Sequence, residues 1–360
     1  NTANGYAALY NTTTGSNNTA NGNMALFSNT TGAYNTAIGH YALNKNTGDY
    51  NVAMGSDALS NNTSGYNNVA IGFSALNTNT TAEKNTAIGT YALKLNTTGS
   101  YNTAIGNEAL FSNITGDANT AIGFAALYWN TASENTAIGK NSLNKNTTGD
   151  NNTAVGSSAL YLNITGSNNT ANGGGALERN TTGNYNTANG FQALLTNTSG
   201  SNNTANGFRA LHDNTTGDNN IAIGGEALYS NTTGASNTAN GFKALYSNTT
   251  GSNNTANGKD ALFSNTTGYT NTANGVDALR GNTTGAGNVA NGLEALDSNT
   301  TGNNNTAIGN GADVASNNLT NATAIGYDAV VSASNKIRLG NNNVTSIEGQ
   351  VAWTNASDRR

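Results

Sequence analysis

One short unit recurs along nearly the whole sequence, and this repeat limits the possible folds more than any other feature. The motif N-T-A-(I/N)-G occurs 20 times in 360 residues, and six of these copies carry substitutions at its first, second or fourth place. Successive copies start 17 residues apart, with two steps of 16. Repeats of this length form solenoids, in which each unit buries its apolar side chains against the next unit. The copies start at Asn1, Asn18, Asn35, Asn51, Asn68, Asn85, Asn102, Asn119, Asn135, Asn152, Asn169, Asn186, Asn203, Asn220, Asn237, Asn254, Asn271, Asn288, Asn305 and Ala322.

The repeat unit reads N-T-A-(I/N)-G-x-x-A-L-x-x-N-T-T-G-x-x, and we number its places 1 to 17. Place 3 is Ala and place 5 is Gly in all 20 copies, while place 9 is Leu in the first 18. Paired Thr residues, a Gly in every unit and a single Leu per unit do not make a stable amphipathic helix. The unit instead predicts two short strands, with corners at the place-5 Gly and at N-T-T-G. We expect an all-β fold, a parallel β-solenoid (β-roll or β-helix) of about 20 coils with 17-residue repeats.

Two places are expected to face inward and to stack on the same residue of the next coil. Ala suits a place where backbones come close, and Leu fills a thin core. The predicted stacked core includes Ala3, Leu9, Ala20, Leu26, Ala37, Leu43, Ala104 and Leu110.

Place 4 is the most variable place near the strand, with Ile, Val or Met in 11 copies and Asn in nine. The Asn copies are bunched, as a ladder of amides requires, because a buried amide needs a partner in the neighbouring coil. The alternative is that these residues face water. The predicted ladder includes Asn172, Asn189, Asn206, Asn240, Asn257, Asn274 and Asn291.

Aromatic residues recur at place 10, directly after the Leu. Half-exposed rings there suit contact with sugar faces, and the alternative is packing between chains or along the rod. The predicted glycan-contacting residues are Tyr10, Phe27, Phe111, Tyr128, Tyr229, Tyr246 and Phe263.

Composition narrows the function classes. Charged residues are 9% of the chain, the net charge is −5, and the 14 Lys and Arg are scattered, so we expect no nucleic-acid partner. No apolar run of about 18 residues is present, so we expect no membrane insertion. With no Cys, only His40 and His212 as imidazoles, and no fixed pair of acidic places, we predict no metal site, no cofactor and no enzymatic activity.

The repeats resemble a known family. N-T-A-I-G-x-x-A-L, as in residues 85–93 and 102–110, resembles the S-V-A-I-G-x-x-A repeat of the heads of trimeric autotransporter adhesins. The resemblance covers residues 1–330, which we assign to the repeat domain. It implies a left-handed parallel β-roll assembled as a homotrimer. This unit is longer than that family's repeat, and many of its Ile places hold Asn.

The C-terminal segment carries a second resemblance. We assign residues 331–360 to a cap or linker. Residues 335–360 resemble the lead-in to the S74 intramolecular chaperone of phage tail fibres and tailspikes. That resemblance implies trimerisation and a self-cleavage point at Ser357 and Asp358, cut by a chaperone domain that this sequence does not contain.

These features together favour a structural and adhesive extracellular fibre, at a cell surface or on a virion, made of copies of this chain. Host or surface glycans are the expected further partner. The sequence opens inside a repeat, as expected of a fragment or processed product. An ice-binding β-solenoid is the alternative, although its flat T-x-T face is missing. A carbohydrate-active solenoid enzyme would need clustered acidic or basic residues on neighbouring coils, which the sequence lacks.

Overall fold

A computed structural model describes residues 1–346 of the chain, and within that range the fold is all-β with no helix. It confirms the predicted parallel β-solenoid of about 20 coils with 17-residue repeats. The proposed cleavage point at Ser357 and Asp358 lies outside the described residues.

Each coil contributes one three-residue strand, T-A-(I/N) in most copies, at places 2 to 4. These strands pair in parallel into a single sheet, and a second, two-stranded sheet forms near the C-terminal end. The strands are β1 Thr2–Asn4, β2 Thr19–Asn21, β3 Thr36–Ile38, β4 Val52–Met54, β5 Val69–Ile71, β6 Thr86–Ile88, β7 Thr103–Ile105, β8 Thr120–Ile122, β9 Thr136–Ile138, β10 Thr153–Val155, β11 Thr170–Asn172, β12 Thr187–Asn189, β13 Thr204–Asn206, β14 Ile221–Ile223, β15 Thr238–Asn240, β16 Thr255–Asn257, β17 Thr272–Asn274, β18 Val289–Asn291, β19 Thr306–Ile308, β20 Asp313–Val314, β21 Thr323–Ile325, β22 Val330–Val331 and β23 Ile337–Leu339.

The register puts each place directly over the same place of the next coil. In β12 and β13, Thr187 pairs with Thr204 and Ala188 with Ala205. The two 16-residue copies keep this register: β3 still pairs place for place with β4, and β8 with β9. The missing residue is therefore taken up in the N-T-T-G corner, so the strands set the register.

The predicted second strand does not form in coils 1 to 18. Places 7 and 9 have positive φ instead, as at Gln192 (φ 55°) and Leu194 (φ 54°). Places 6 to 11 are nevertheless hydrogen-bonded to both neighbouring coils: the Gln192 N–H donates to the carbonyl of Gly174 in the preceding coil (3.0 Å), and the Leu194 N–H donates to that of Ala210 in the next coil (3.0 Å). The left-handed conformation costs about 1–2 kcal/mol per non-glycine residue. Burying the Leu side chain, at about 1.5–3 kcal/mol, offsets part of the cost of the two such residues in each coil.

The core consists of two columns of Ala and one of Leu that run along the rod. Place 3 and place 8 supply the Ala, and place 9 the Leu, nearly all with no exposed surface. Among the predicted core residues, Ala20, Leu26, Ala37, Leu43, Ala104 and Leu110 are buried.

Two predicted core residues differ because they lie in the first coil. Ala3 is exposed and Leu9 is only half-buried. Only one neighbouring coil covers them, so the prediction that Ala3 is buried is corrected.

The Leu column ends after coil 18. Place 9 is Asp313 in coil 19 and Val330 in coil 20, and here β20 pairs with β22. Val314 and Val331 fill the core instead, each 2% exposed. The inward side chain has therefore moved by one place, and an ordinary strand replaces the positive-φ segment.

The main sheet continues past residue 330, the predicted end of the repeats. Strand β23 pairs with β21, which places Ile337 beside Thr323 and Leu339 beside Ile325. The last described rung of the sheet thus comes from the segment predicted to be a cap or linker.

The place-5 Gly is required for two reasons at once. Gly173 has φ +139°, and a Cβ added there would lie 2.5 Å from the carbonyl oxygen of Gly190 in the next coil. An L-residue rarely adopts that φ, and the contact is too close for a carbon atom.

We predict that Gly173→Ala lowers the free energy of unfolding by at least about 2 kcal/mol, because it adds backbone strain to a clash with the next coil. Gly174→Ala is the matched control, since its added Cβ would meet nothing closer than Phe191 at 3.5 Å. We expect a change within about 0.5 kcal/mol for the control. Urea unfolding followed by circular dichroism measures both, and equal effects would refute the stacking requirement.

Candidate functional site

Buried asparagines at two places form continuous hydrogen-bonded columns through the rod. Places 1 and 12 hold Asn in nearly every coil, and the side chains from coil 2 to coil 18 are 0–1% exposed. Neutral amides buried this completely must be hydrogen-bonded, because an unpaired buried amide costs about 1–3 kcal/mol.

The place-12 ladder joins side chain to side chain. From Asn46 to Asn299, each Nδ2 donates to Oδ1 of the Asn in the preceding coil, over 16 bonds of 2.6–3.5 Å. Each Nδ2 also donates to the place-15 carbonyl of its own coil, as Asn214 does to Gly217 (3.0 Å). Both amide hydrogens are therefore used, and every amide points the same way along the rod.

The place-1 row joins side chain to backbone. The N–H of each place-1 residue donates to Oδ1 of the Asn one coil earlier, as Asn203 does to Asn186 (3.0 Å). The Asn203 Nδ2 donates to the carbonyl of Gly217 in its own coil (2.8 Å). Gly217 thus accepts from both columns, which fixes the N-T-T-G corner against the start of the strand.

The Asn residues at place 4, which were predicted to form a buried ladder, lie on the outer surface of the sheet. Asn172, Asn206, Asn240 and Asn291 are exposed. The other three, Asn189, Asn257 and Asn274, are half-buried. A single side-chain bond joins two of the seven, from Asn257 to Asn274 (2.9 Å). The alternative, that these residues face water, therefore describes place 4. The buried ladder lies at place 12.

The rings at place 10 stack on one another along the rod. Ring centroids are 5.6 Å apart for Tyr10 and Phe27 and 5.0 Å for Phe111 and Tyr128, with nearly parallel planes. A longer stack runs from His212 through Tyr229 and Tyr246 to Phe263, at 4.9–5.2 Å. Stacking therefore covers both faces of Tyr229 and Tyr246, and one face of each of the other rings in these stacks. Contact of these residues with glycans stays a prediction.

A surface that the sequence did not single out lies on coils 8 to 10. Trp129 is 46% exposed and Ile164 43%. Together with Lys145, Thr147 and Leu162 they line a shallow groove of about 420 Å³. Residues at places 11 and 13 form this groove. The feature of the sequence that indicates it is an Ile or Leu at places where many other coils have Ser or Thr.

Titratable groups are few and spread out. His40 is exposed, while His212 contacts Asp213 through Nδ1 and Oδ1 (2.6 Å). Burial raises the pKa of Asp313, although the N–H groups of Ser298 and Val314 donate to its carboxylate and oppose the shift. Burial also raises the pKa of Asp297, and the nearby Asp313 charge adds to this.

Residues 1–346 contain no group of three or more His, Asp or Glu side chains that could hold a metal ion. In the same range there is no helix long and apolar enough to cross a membrane.

Comparison of this chain with models of known protein families and with curated proteins gives no match. The adhesin-head and tail-fibre resemblances therefore stay predictions.

We predict that Asn214→Ala lowers the free energy of unfolding by about 3 kcal/mol. The substitution removes the bonds to Asn197 and Gly217 and leaves the Asn231 amide without its acceptor. Asn206→Ala, at place 4 of the same coil, is the control, because its side chain is exposed. Urea unfolding that ranks the two variants equally would contradict the assignment of the ladder to place 12.

In coil 1 the ladder can be tested by adding an Asn instead of removing one. The place-12 residue of this coil is Thr12, and the Thr12 Oγ1 is the only buried side-chain nitrogen or oxygen in residues 1–346 without a hydrogen-bond partner. We predict that Thr12→Asn extends the ladder by one rung and slows hydrogen exchange of coil-1 backbone amides about fivefold, since one net hydrogen bond contributes about 1 kcal/mol. Faster exchange in the variant would show that the ladder does not extend to coil 1.

Proposed function

We propose that this chain is the rod or head of an extracellular fibre, at a cell surface or on a virion, which assembles as a homotrimer and has a structural and adhesive role. The observation that carries the proposal is the uninterrupted stack of coils from β1 to β23, in register throughout. At about 4.8 Å per rung, 21 strands give a rod about 96 Å long and one coil wide.

A rod of this kind suits length and stiffness better than catalysis. Each coil is hydrogen-bonded to both neighbours through the strand, the positive-φ segment and the Asn columns. Local opening would break several of these bonds together, which supports resistance to proteases. The chain itself is proposed to be non-enzymatic, with any cleavage at Ser357 and Asp358 performed by a domain outside it.

An exposed apolar stripe supports self-association. Coils 3 to 10 all carry an aliphatic residue at place 4 on the outer face of the sheet. Six of these eight residues are 36–40% exposed: Ile38, Met54, Ile88, Ile105, Ile122 and Ile138. Ile71 and Val155 complete it, half-buried. The stripe is about 38 Å long at 4.8 Å per coil. A continuous apolar surface of this length marks a protein–protein contact, and three copies meeting along it would form the trimer that both resemblances imply.

We predict that the chain sediments as a trimer and that the triple variant Ile88→Asn, Ile105→Asn, Ile122→Asn sediments as a monomer. Nine coils already hold Asn at place 4, so the substitutions keep the coil fold and remove only the apolar contact. Sedimentation equilibrium gives the mass, and circular dichroism checks that the fold is retained.

Ile223→Asn is the matched control, because Ile223 is 42% exposed but lies between coils that have Asn at place 4. It should remain trimeric. A monomeric parent chain, or a triple variant that still forms trimers, would rule out the stripe as the trimer contact.

A further inference from the structure

Coils 6 to 10 carry a second apolar surface. Residues at places 10 to 13 form it, whereas the first stripe is formed by place 4. Lys94 of coil 6 lies over the rings of Tyr91 and Phe111, with Nζ 4.5 and 5.6 Å from the centroids. Lys145 of coil 9 lies over Trp129, at 5.5 Å. We call Lys94, Phe111, Trp129, Lys145 and Ile164 the lysine–aromatic stripe.

The order of side chains along this stripe alternates between cations and apolar groups. From coil 6 to coil 10 it reads Lys94, then Phe111 with Trp129, then Lys145, then Ile164 beside Leu162. Within residues 1–346, neither Lys94 nor Lys145 makes an ion pair, whereas Lys84, Lys243 and Lys259 each do. The stripe therefore offers two free positive charges in a chain whose net charge is −5.

Trp129 is 46% exposed, and no ring in residues 1–346 stacks on its face. Its contact with Tyr128 is edge-on, at 4.9 Å and 69°. Half-exposed Trp beside aliphatic side chains is typical of the residues that contribute most to protein–protein binding.

The polar groups of the groove favour a protein segment over a sugar. The Thr131 hydroxyl already donates to the carbonyl of Thr147 (2.7 Å), and the Thr147 hydroxyl to that of Ile164 (2.8 Å). The Lys145 ammonium is then the one charged donor in the groove, beside the indole N–H of Trp129. A sugar needs several donors and acceptors to replace its water, whereas an apolar side chain beside a carboxylate needs only what the groove presents.

The spacing of the two lysines fits an extended chain. Lys94 is at place 10 of coil 6 and Lys145 at place 11 of coil 9, so their backbones lie three coils apart along the rod, about 14 Å at 4.8 Å per rung. In an extended peptide, residues four apart lie on one face and are also about 14 Å apart, at 3.4 Å per residue. The residue midway between them points the same way, towards Phe111 and Trp129.

We propose that the lysine–aromatic stripe binds an extended segment of another protein that alternates acidic and large apolar residues on one face, in the pattern acidic-x-apolar-x-acidic-x-apolar. Its carboxylates pair with Lys94 and Lys145, and its apolar side chains cover Trp129 and the groove at Ile164. This inference rests on the proposed adhesive role and names the chemistry of the partner.

The test uses the full chain with Trp353→Phe, which leaves Trp129 as the only Trp because the sequence has two. The probe is the capped peptide Glu-Thr-Phe-Thr-Glu-Thr-Leu, together with its reversed sequence, since the structure does not set the direction of the bound segment. We expect saturable binding of one of them with a blue shift of the Trp129 emission, and weaker binding at high salt.

Charge variants locate the contact. Lys94→Gln and Lys145→Gln should each weaken binding about fivefold or more. Lys140→Gln should leave it unchanged, because Lys140 lies in the same coil as Lys145 but at place 6, exposed and away from the groove. A peptide with Lys in place of Glu should not bind.

Three results would overturn the proposal: no saturable change at millimolar peptide, equal binding of the Lys peptide, or tighter binding of an oligogalacturonate that displaces the peptide. Sedimentation of the same samples separates the two proposals. A trimer that binds no peptide contradicts this inference alone, and a monomer that binds it contradicts only the trimer.

Discussion

The structure depends on one constraint, which is that the backbone of every coil is hydrogen-bonded to the coils on either side. Stacking at about 4.8 Å then places each residue type over itself, so a single choice becomes a column along the rod. Ala and Leu become the core, the place-5 Gly becomes a line of close backbone contacts, and Asn becomes two amide columns. A substitution in one coil also removes a packing or hydrogen-bond partner from the next coil, which explains why these places are so uniform.

The period and the inward places were predictable from the sequence, because stacking demands the same residue in every copy. The conformation of places 6 to 11 was not, since nothing in the residue pattern shows that Leu194 and its equivalents have positive φ. The two corners of the unit predicted a second strand between them, and hydrogen bonds to two neighbouring coils favoured a different backbone. The pattern also could not show that Ala3 has a neighbour on one side only.

The sequence pattern favours the wrong place for the buried amide columns, and the reason is physical. Asn at places 1 and 12 looks like turn chemistry, because Asn is common in corners. Bunching at place 4 looked like a ladder. The better signal was uniformity: a buried amide needs a partner in every neighbouring coil, so the places that almost never vary are the ones that carry it. Place 4 varies because it faces outward. It is aliphatic throughout coils 3 to 10 and Asn in all of coils 11 to 18 except coil 14.

We assign function to the outer surface of the rod, because the interior places are nearly the same in every coil. The central claim is the single continuous stack, and small-angle X-ray scattering tests it most directly. A rod about 96 Å long has a radius of gyration of about 28 Å from its length alone, and side-by-side copies increase it. A compact globular chain of the same size would give about 21 Å, and that value would contradict the account.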